Sequence, residues 1–333
     1  MRRLTARRSE YDFWAASAYN DIDYADPYLN VNGTWGTRPG YSTYVLRDYA
    51  LQFLRAAPAG QPFLLYFAPV AVHGAGSPRT PPSPAVPAPE DQALYSGLPA
   101  YQAPSLDEAD VSDKPAWLQA LPRLTAQNFS QINYVRPQRL RTLMAVDRAV
   151  DALLTLLAQQ GRLDNTLVLF MSDNGYFYGE HRLWIMVPGA TSSGKNRVYE
   201  EGHAVPFAVR YPPLVAGPRA EASQVANIDI APTLYELAGV AAPAGVSGRS
   251  LVPLLRGSAS GWRSDLLLES GPDQGTHPYS AVRTPRFLYA ETAGDSAELY
   301  DRNADPYQLQ SVVLRPAYAA DVSRLRSQLH GAW

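Results

Sequence analysis

The sequence predicts an α/β chain: a central, mostly parallel sheet flanked by helices, then a small C-terminal antiparallel-sheet subdomain and a terminal helix. Three observations point there. Two helical patterns each run into a short, nearly all-apolar segment, the signature of strands covered on both faces. From about residue 258 the apolar runs shorten and are separated by Gly, Pro and Asp. The chain then closes on an amphipathic stretch. These textures divide it into an α/β domain over 1–257, incomplete for the reason given below, and an α+β subdomain over 258–333.

The first helix is expected over 40–57, "GYSTYVLRDYALQFLRAA". Val45, Leu46, Tyr49, Ala50, Phe53 and Leu54 recur at helical spacing, and the Ser-Thr start can cap it. Gly60 breaks the chain, and "PFLLYFA" at 62–68 reads as a buried strand. The Pro-dense "HGAGSPRTPPSPAVPAPEDQ" that follows must be an irregular excursion. The longest helical pattern spans 136–161 and stops at Gly161. "DNTLVLFMS" and "VPFAVRYP" read as two further strands. "NIDIAPTLYELAGV" turns into a helix with Asp229 as N-cap and Pro232 in its first turn. "SDLLLES", "YSAVRTPRFLYAE" and "ELYD" supply the small sheet, and "AYAADVSRLRSQLHGAW" the closing helix.

At 333 residues, with 46% hydrophobic and 18% charged, the chain can bury a large core. A net charge near −2 offers no basic surface, so nucleic acid is not an expected partner. No apolar run is long enough to span a membrane. The opening "MRRLTARRSEYDFWAASAYND" carries charge with no apolar segment after it, so it does not read as a signal peptide, and the chain is expected to begin inside a domain. Without cysteine there is no disulfide, thiolate metal site or cysteine nucleophile. Compartment and oligomeric state are not readable.

Chemistry is sought where strands end, because loops converge over the carboxyl edge of such sheets. One run delivers His73. Another delivers Asp173 and Asn174, in "MSDNGYFYGEH". A carboxylate beside an amide carbonyl offers two hard oxygens, suited to Ca²⁺ or Mg²⁺. An Asp-Asn-Gly turn bonded to its own backbone explains the same tripeptide. His73 and His181 each fit a structural role as well as an acid-base one, and His203, just ahead of a strand, reads as structural. Of 29 basic residues only Lys114 and Lys195 are lysine. Lys195 has small neighbours, "SSGKNR", that let an ammonium approach an anion, and a solvated loop lysine fits the same stretch. Lys114, in polar "SDKPAW", asks for no special explanation.

Taken in order, these stretches resemble a sulfatase of the arylsulfatase type, within the alkaline-phosphatase-like superfamily. The resemblance rests on "PFLLYFAPVAVHGAG", "LRTLMAVDRAVDALLTLL", "NTLVLFMSDNGYFYGEHRLW", "GKNRVYEEGHAVPFAVRYP", "ANIDIAPTLYELAGV", "GRSLVPLLRG" and "ELYDRNADPYQLQSV", with "NDIDYADPYLNVNGTWGTRPGYSTYVLRDYALQFL" ahead of them. It implies that Asp173 and Asn174 ligate Ca²⁺, with Mg²⁺ as the alternative. It also implies that His73 acts in catalysis, although "APVAVHG" sets it later than the usual spacing. Lys195 would touch the sulfate ester and assist the leaving alcohol, and His181 would lie near the substrate. The expected substrate is a sulfated small molecule or glycan, an aryl or sugar sulfate.

The family's nucleophile is a formylglycine made within C/S-x-P-S/A-R, and no stretch of this chain reads so. "GSPRTPPS" has the wrong order. The N-terminal strand with paired aspartates is also missing, so the chain resembles the C-terminal two-thirds of such an enzyme. Two ligands rarely hold an ion that wants about six to eight oxygens, so metal binding by this chain alone should be weak. Apolar sheet surface should be left exposed, with a risk of aggregation. Two other functions fit the residues: a phosphate or phosphonate ester hydrolase of the same superfamily, and a non-catalytic sulfatase remnant.

Overall fold

The structure is a computed structural model and describes residues 10–17, 23–75, 84–185, 194–271 and 277–331. It divides into two compact units, Met1–Tyr101 with Ser130–Asp164, and Gln102–Phe129 with Asn165–Trp333.

The first unit opens with strands β1 (Ala15–Ser17), β2 (Tyr28–Val31) and β3 (Thr34–Thr37), paired antiparallel in that order. Asn32 and Gly33 turn the β2–β3 hairpin with φ of 50° and 98°, the left-handed pair that a two-residue loop demands. Helix α1 spans Ser42–Ala56, as its periodicity predicts. The expected Ser-Thr cap does not form: Tyr41 is the N-cap, and Ser42 and Thr43 lie inside the first turn with buried hydroxyls.

Residues 62–68, expected as a strand, join no ladder among the described residues. They are half-buried and not fully buried as expected. Phe63, Leu65 and Phe67 pack on a core of Ala50, Leu54, Leu153 and Leu157, while Leu64 is 65% and Tyr66 84% exposed. The split follows the period-2 alternation expected of a strand. The Pro-rich "GSPRTPPS" lies at 76–83, outside the described residues.

Helix α3 runs over Ala126–Gln159, after the single turn α2 (Ala116–Gln119), and starts ten residues before the expected 136. Pro137 sits inside it. Gly161 is the expected stop. Its φ is +67°, and Arg162 donates back to the Leu157 carbonyl at 2.8 Å, so a left-handed residue closes the last turn.

In the second unit, β4 (Val168–Met171) pairs with β5 (Phe207–Arg210), with α4 (Glu200–His203) between them in sequence. Their ladder is antiparallel, Val168 facing Arg210 and Met171 facing Phe207. Helix α5 (Ile230–Ala238) follows a tight turn at Asn227–Asp229. Asp229 stands at the predicted cap position, but its carboxylate does not cap the helix. It is fully buried and accepts from Ala226 N, Arg249 N and both terminal nitrogens of Arg263. After α6 (Val252–Leu255) comes the expected antiparallel meander: β6 (Leu266–Ser270), β7 (Tyr279–Arg283), β8 (Phe287–Thr292) and β9 (Ala297–Asp301), adjacent in that order. The run "YSAVRTPRFLYAE" breaks at Pro285, where Thr284 N donates to Phe287 O at 2.8 Å and closes the turn. Helix α7 (Ala319–Leu329) covers the sheet, with Leu325 and Leu329 against Val282, Phe287, Tyr289 and Leu299. No helix among the described residues is long and apolar enough to cross a membrane.

Candidate active site

β4 ends at Met171 and hands the chain to Ser172, Asp173, Asn174 and Gly175. Ser172 Oγ donates to the Asn174 carbonyl at 2.8 Å, which closes the turn. Asp173 Oδ1 accepts its neighbour's N–H at 3.0 Å, and Asn174 Nδ2 donates to Gly175 O at 2.7 Å. Both side chains therefore use part of their capacity on their own backbone, as the turn reading expects. The remaining amide oxygen is placed differently. Asn174 Oδ1 accepts from Lys195 Nζ at 3.3 Å, across 21 residues of sequence. Asp173 is exposed beside it. Three of the predicted residues, Asp173, Asn174 and Lys195, are thus gathered at the end of one strand.

Glycines permit this approach. Gly175 N donates to Gly202 O at 3.1 Å, and a Cβ on Gly175 would stand 2.0 Å from the Glu201 carbonyl oxygen. Phe177 N donates to Gly194 O at 3.0 Å, where a Cβ would stand 2.5 Å from the Tyr176 ring. On Gly202 it would meet the Arg197 carbonyl oxygen at 2.5 Å. The glycines of "DNG", "GK" and "EEG" therefore let segments 172–177 and 194–202 lie side by side.

His73 belongs to the first unit, where its ring is exposed and Nδ1 lies 2.9 Å from Gly74 O. A carbonyl only accepts, so Nδ1 carries the proton and Nε2 is the proton-accepting nitrogen of the neutral ring. The buried Tyr24 hydroxyl donates to the His73 carbonyl at 2.6 Å and holds this turn from below.

His181 is not gathered with Asp173, Asn174 and Lys195. It is fully buried, with Nδ1 2.6 Å from Glu108 Oε2 and Nε2 3.6 Å from Glu201 Oε2. His203 pairs with Glu200, which also accepts from Arg283 at 2.8 Å and lies 3.0 Å from Arg302 Nε as an ion pair. Burial would raise the Glu200 carboxyl, but His203 and Arg283 outweigh it and hold the group well below the usual carboxylate range.

Sequence reasoning missed Lys114. Its side chain is wholly buried. The ammonium donates to Tyr300 Oη at 3.0 Å and to the Gln308 carbonyl, lies 3.5 Å from Glu108 Oε1, and sits 4.4 Å from the centre of the Tyr300 ring. The signal was available: in a chain that uses arginine almost everywhere, Lys114 is as exceptional as Lys195.

As a metal centre, the Asp173–Asn174 pair supplies hard oxygens of the kind Ca²⁺ or Mg²⁺ takes. Among the described residues no group of three or more His, Cys, Asp or Glu could complete the set. The pair fits as part of a ligand shell and would need oxygens from elsewhere.

Comparison with known proteins gives the family. The sulfatase family model matches residues 5–240, and a model of the C-terminal region of N-sulphoglucosamine sulphohydrolase matches 192–332. An arylsulfatase of Volvox carteri is 31% identical over 338 residues, covering 87% of this chain and 51% of its own length. The chain spans about half the length of the curated relatives it matches. Among solved structures, BT4656 in complex with its substrate D-glucosamine-2-N,6-O-disulfate superposes with a TM-score of 0.82 at 23% identity, covering 98% of this chain and 76% of that one. The phosphonate monoester hydrolase of Agrobacterium radiobacter superposes with a TM-score of 0.63 at 23% identity, covering 87% and 61%. Both likenesses show the shared α/β fold. With the family model covering most of the chain and its motif residues meeting at the end of β4, the chain belongs to the sulfatase family.

Proposed function

We propose that the protein containing this chain hydrolyses a sulfate ester, drawn from aryl sulfates or sulfated sugars. The observation that carries the reading is the contact of Lys195 Nζ with Asn174 Oδ1 at 3.3 Å, beside the exposed carboxylate of Asp173. A fixed ammonium next to two hard oxygens is what a sulfate group bound to a divalent cation requires. Asp173 and Asn174 would each give one oxygen to Ca²⁺, or to Mg²⁺. Bound there, the ion would neutralise charge on the sulfate oxygens.

The chain's own residues do the rest. Lys195 donates to a sulfate oxygen and stabilises charge as the ester bond breaks. His73, with Nδ1 tied to Gly74 O, offers Nε2 for proton exchange with the alcohol. The nucleophile is expected to be a formylglycine, and no C/S-x-P-S/A-R motif stands in these 333 residues, so the proposal concerns the complete reading frame. Activity on phosphate or phosphonate esters is the second reading, favoured by the fold likeness to the phosphonate hydrolase. The sulfatase reading has the stronger support, from a family model and a 31% identical arylsulfatase.

The test is turnover of an aryl sulfate and an aryl phosphonate by the complete reading frame, with Asp173→Ala and Lys195→Ala beside it. Sulfate turnover should fall by about a hundredfold or more in both variants. Equal turnover in all three proteins would remove the proposal.

A further inference from the structure

Beyond the "DNG" turn, the same loop enters a buried charged cluster for which the reaction has no direct use. His181 stacks on Tyr199 with centroids 4.2 Å apart. Its Nδ1 faces Glu108 Oε2 at 2.6 Å, so Nδ1 is protonated, since a carboxylate only accepts. Its Nε2 faces Glu201 Oε2 at 3.6 Å. Both of these atoms are shut off from solvent and make no hydrogen bond. In a neutral ring, Nε2 would aim a lone pair at a carboxylate in a dry interior, leaving two acceptors opposed. A proton on Nε2 turns that repulsion into a charge-assisted contact.

Of the other charges near the ring, Lys114 disfavours a second proton on it, and Glu108 and Glu201 outweigh that cation. Lys114 lies on the segment that carries Glu108, so Lys114 and a charged His181 balance Glu108 and Glu201. Glu298 faces the cluster from β9. Burial pushes its carboxyl up, and it accepts from Tyr199 at 2.8 Å and from Tyr300.

Glu201 connects this cluster to the site. Ser105 Oγ donates to its Oε1 at 3.0 Å, and its carbonyl lies against Gly175, whose N–H donates to Gly202. We propose that His181 is a positioning residue, an imidazolium that clamps Glu201 to Glu108 and thereby holds segment 200–202 against the turn carrying Asp173 and Asn174. Its bearing on catalysis rests on the sulfatase reading, whereas the clamp itself does not. Burial alone would lower the histidine, but Glu108 and Glu201 outweigh it and the net direction is up. A raised folded value means that the clamp's stability is complete below the unfolded histidine range, about 6.5, and is lost as pH rises through the folded value.

Nitrogen-15 NMR of the histidine rings in the intact chain near neutral pH tests the charge. Both nitrogens of His181 should be protonated, and a ring with a bare Nε2 overturns the proposal. Hydrogen exchange tests the positioning. In His181→Gln the amides of Gly175 and Phe177 should exchange about tenfold faster or more, while β9 keeps its protection. Unchanged protection at Gly175 overturns it. Should His181→Gln fail to fold, Glu201→Gln serves: its His181 should become a neutral ring near neutral pH, and an unaltered imidazolium would sink the clamp. None of these readouts involves ester hydrolysis. A neutral His181 in an active sulfatase removes only the clamp, and an inactive protein with a charged His181 removes only the sulfatase reading.

Discussion

Arg263 closes both oxygens of the fully buried Asp229, at 2.5 and 2.6 Å, so the acid predicted to cap a helix serves as the anchor between α5 and the chain entering the meander. Removing either partner strands a charge in the interior. Asp229→Ala or Arg263→Leu should each cost about 3–5 kcal/mol, measured by urea denaturation. A loss below about 1 kcal/mol would show that solvent reaches the pair.

Lys114 should be equally intolerant. Lys114→Met nearly preserves volume but leaves Glu108 with one cationic neighbour fewer and the Gln308 carbonyl without its donor. A loss of about 3 kcal/mol or more is expected in the same assay. A neutral result would show that the buried contacts of Lys114 add nothing to stability.

Gly175→Ala places a methyl 2.0 Å from a backbone oxygen that has no soft side chain to move. Destabilisation of about 1–3 kcal/mol or more is expected from thermal unfolding. Gly217→Ala, with nothing within 4 Å of the new Cβ, should stay within about 0.5 kcal/mol of the parent.

Glu200 links stability to acid. Its folded carboxyl is depressed, so its contribution is present above the unfolded glutamate range, about 4.3, and is lost as pH falls toward the folded value. In Glu200→Gln the melting temperature should be lower at neutral pH and should fall less steeply below about pH 4. Parallel acid limbs in the two proteins would show that the contacts with His203, Arg283 and Arg302 contribute nothing.

What could be read from the sequence was local. Helical spacing and Gly161 located α1 and the end of α3, and short runs separated by Gly, Pro and Asp foretold the small antiparallel sheet, although "YSAVRTPRFLYAE" read as one run where the structure has two strands. Asp173, Asn174 and Lys195 were singled out by residue type and small neighbours. What stayed hidden depends on distant partners. Glu108 meets His181 across 73 residues, and Lys114 meets Tyr300 across 186. No periodicity encodes such pairings. The Ser-Thr cap failed for a local reason: Tyr41 is the extended residue that begins the helix, so Ser42 and Thr43 fall inside its first turn.

The outward residues of 62–68 bear on how the protein behaves as a colloid. With Leu64 and Tyr66 facing water from a segment that joins no ladder among the described residues, pairwise attraction between molecules should be strong, giving a negative second virial coefficient in static light scattering. Leu64→Lys with Tyr66→Lys should move that coefficient toward positive values without lowering the melting temperature, since the inward Phe63, Leu65 and Phe67 keep the core contacts.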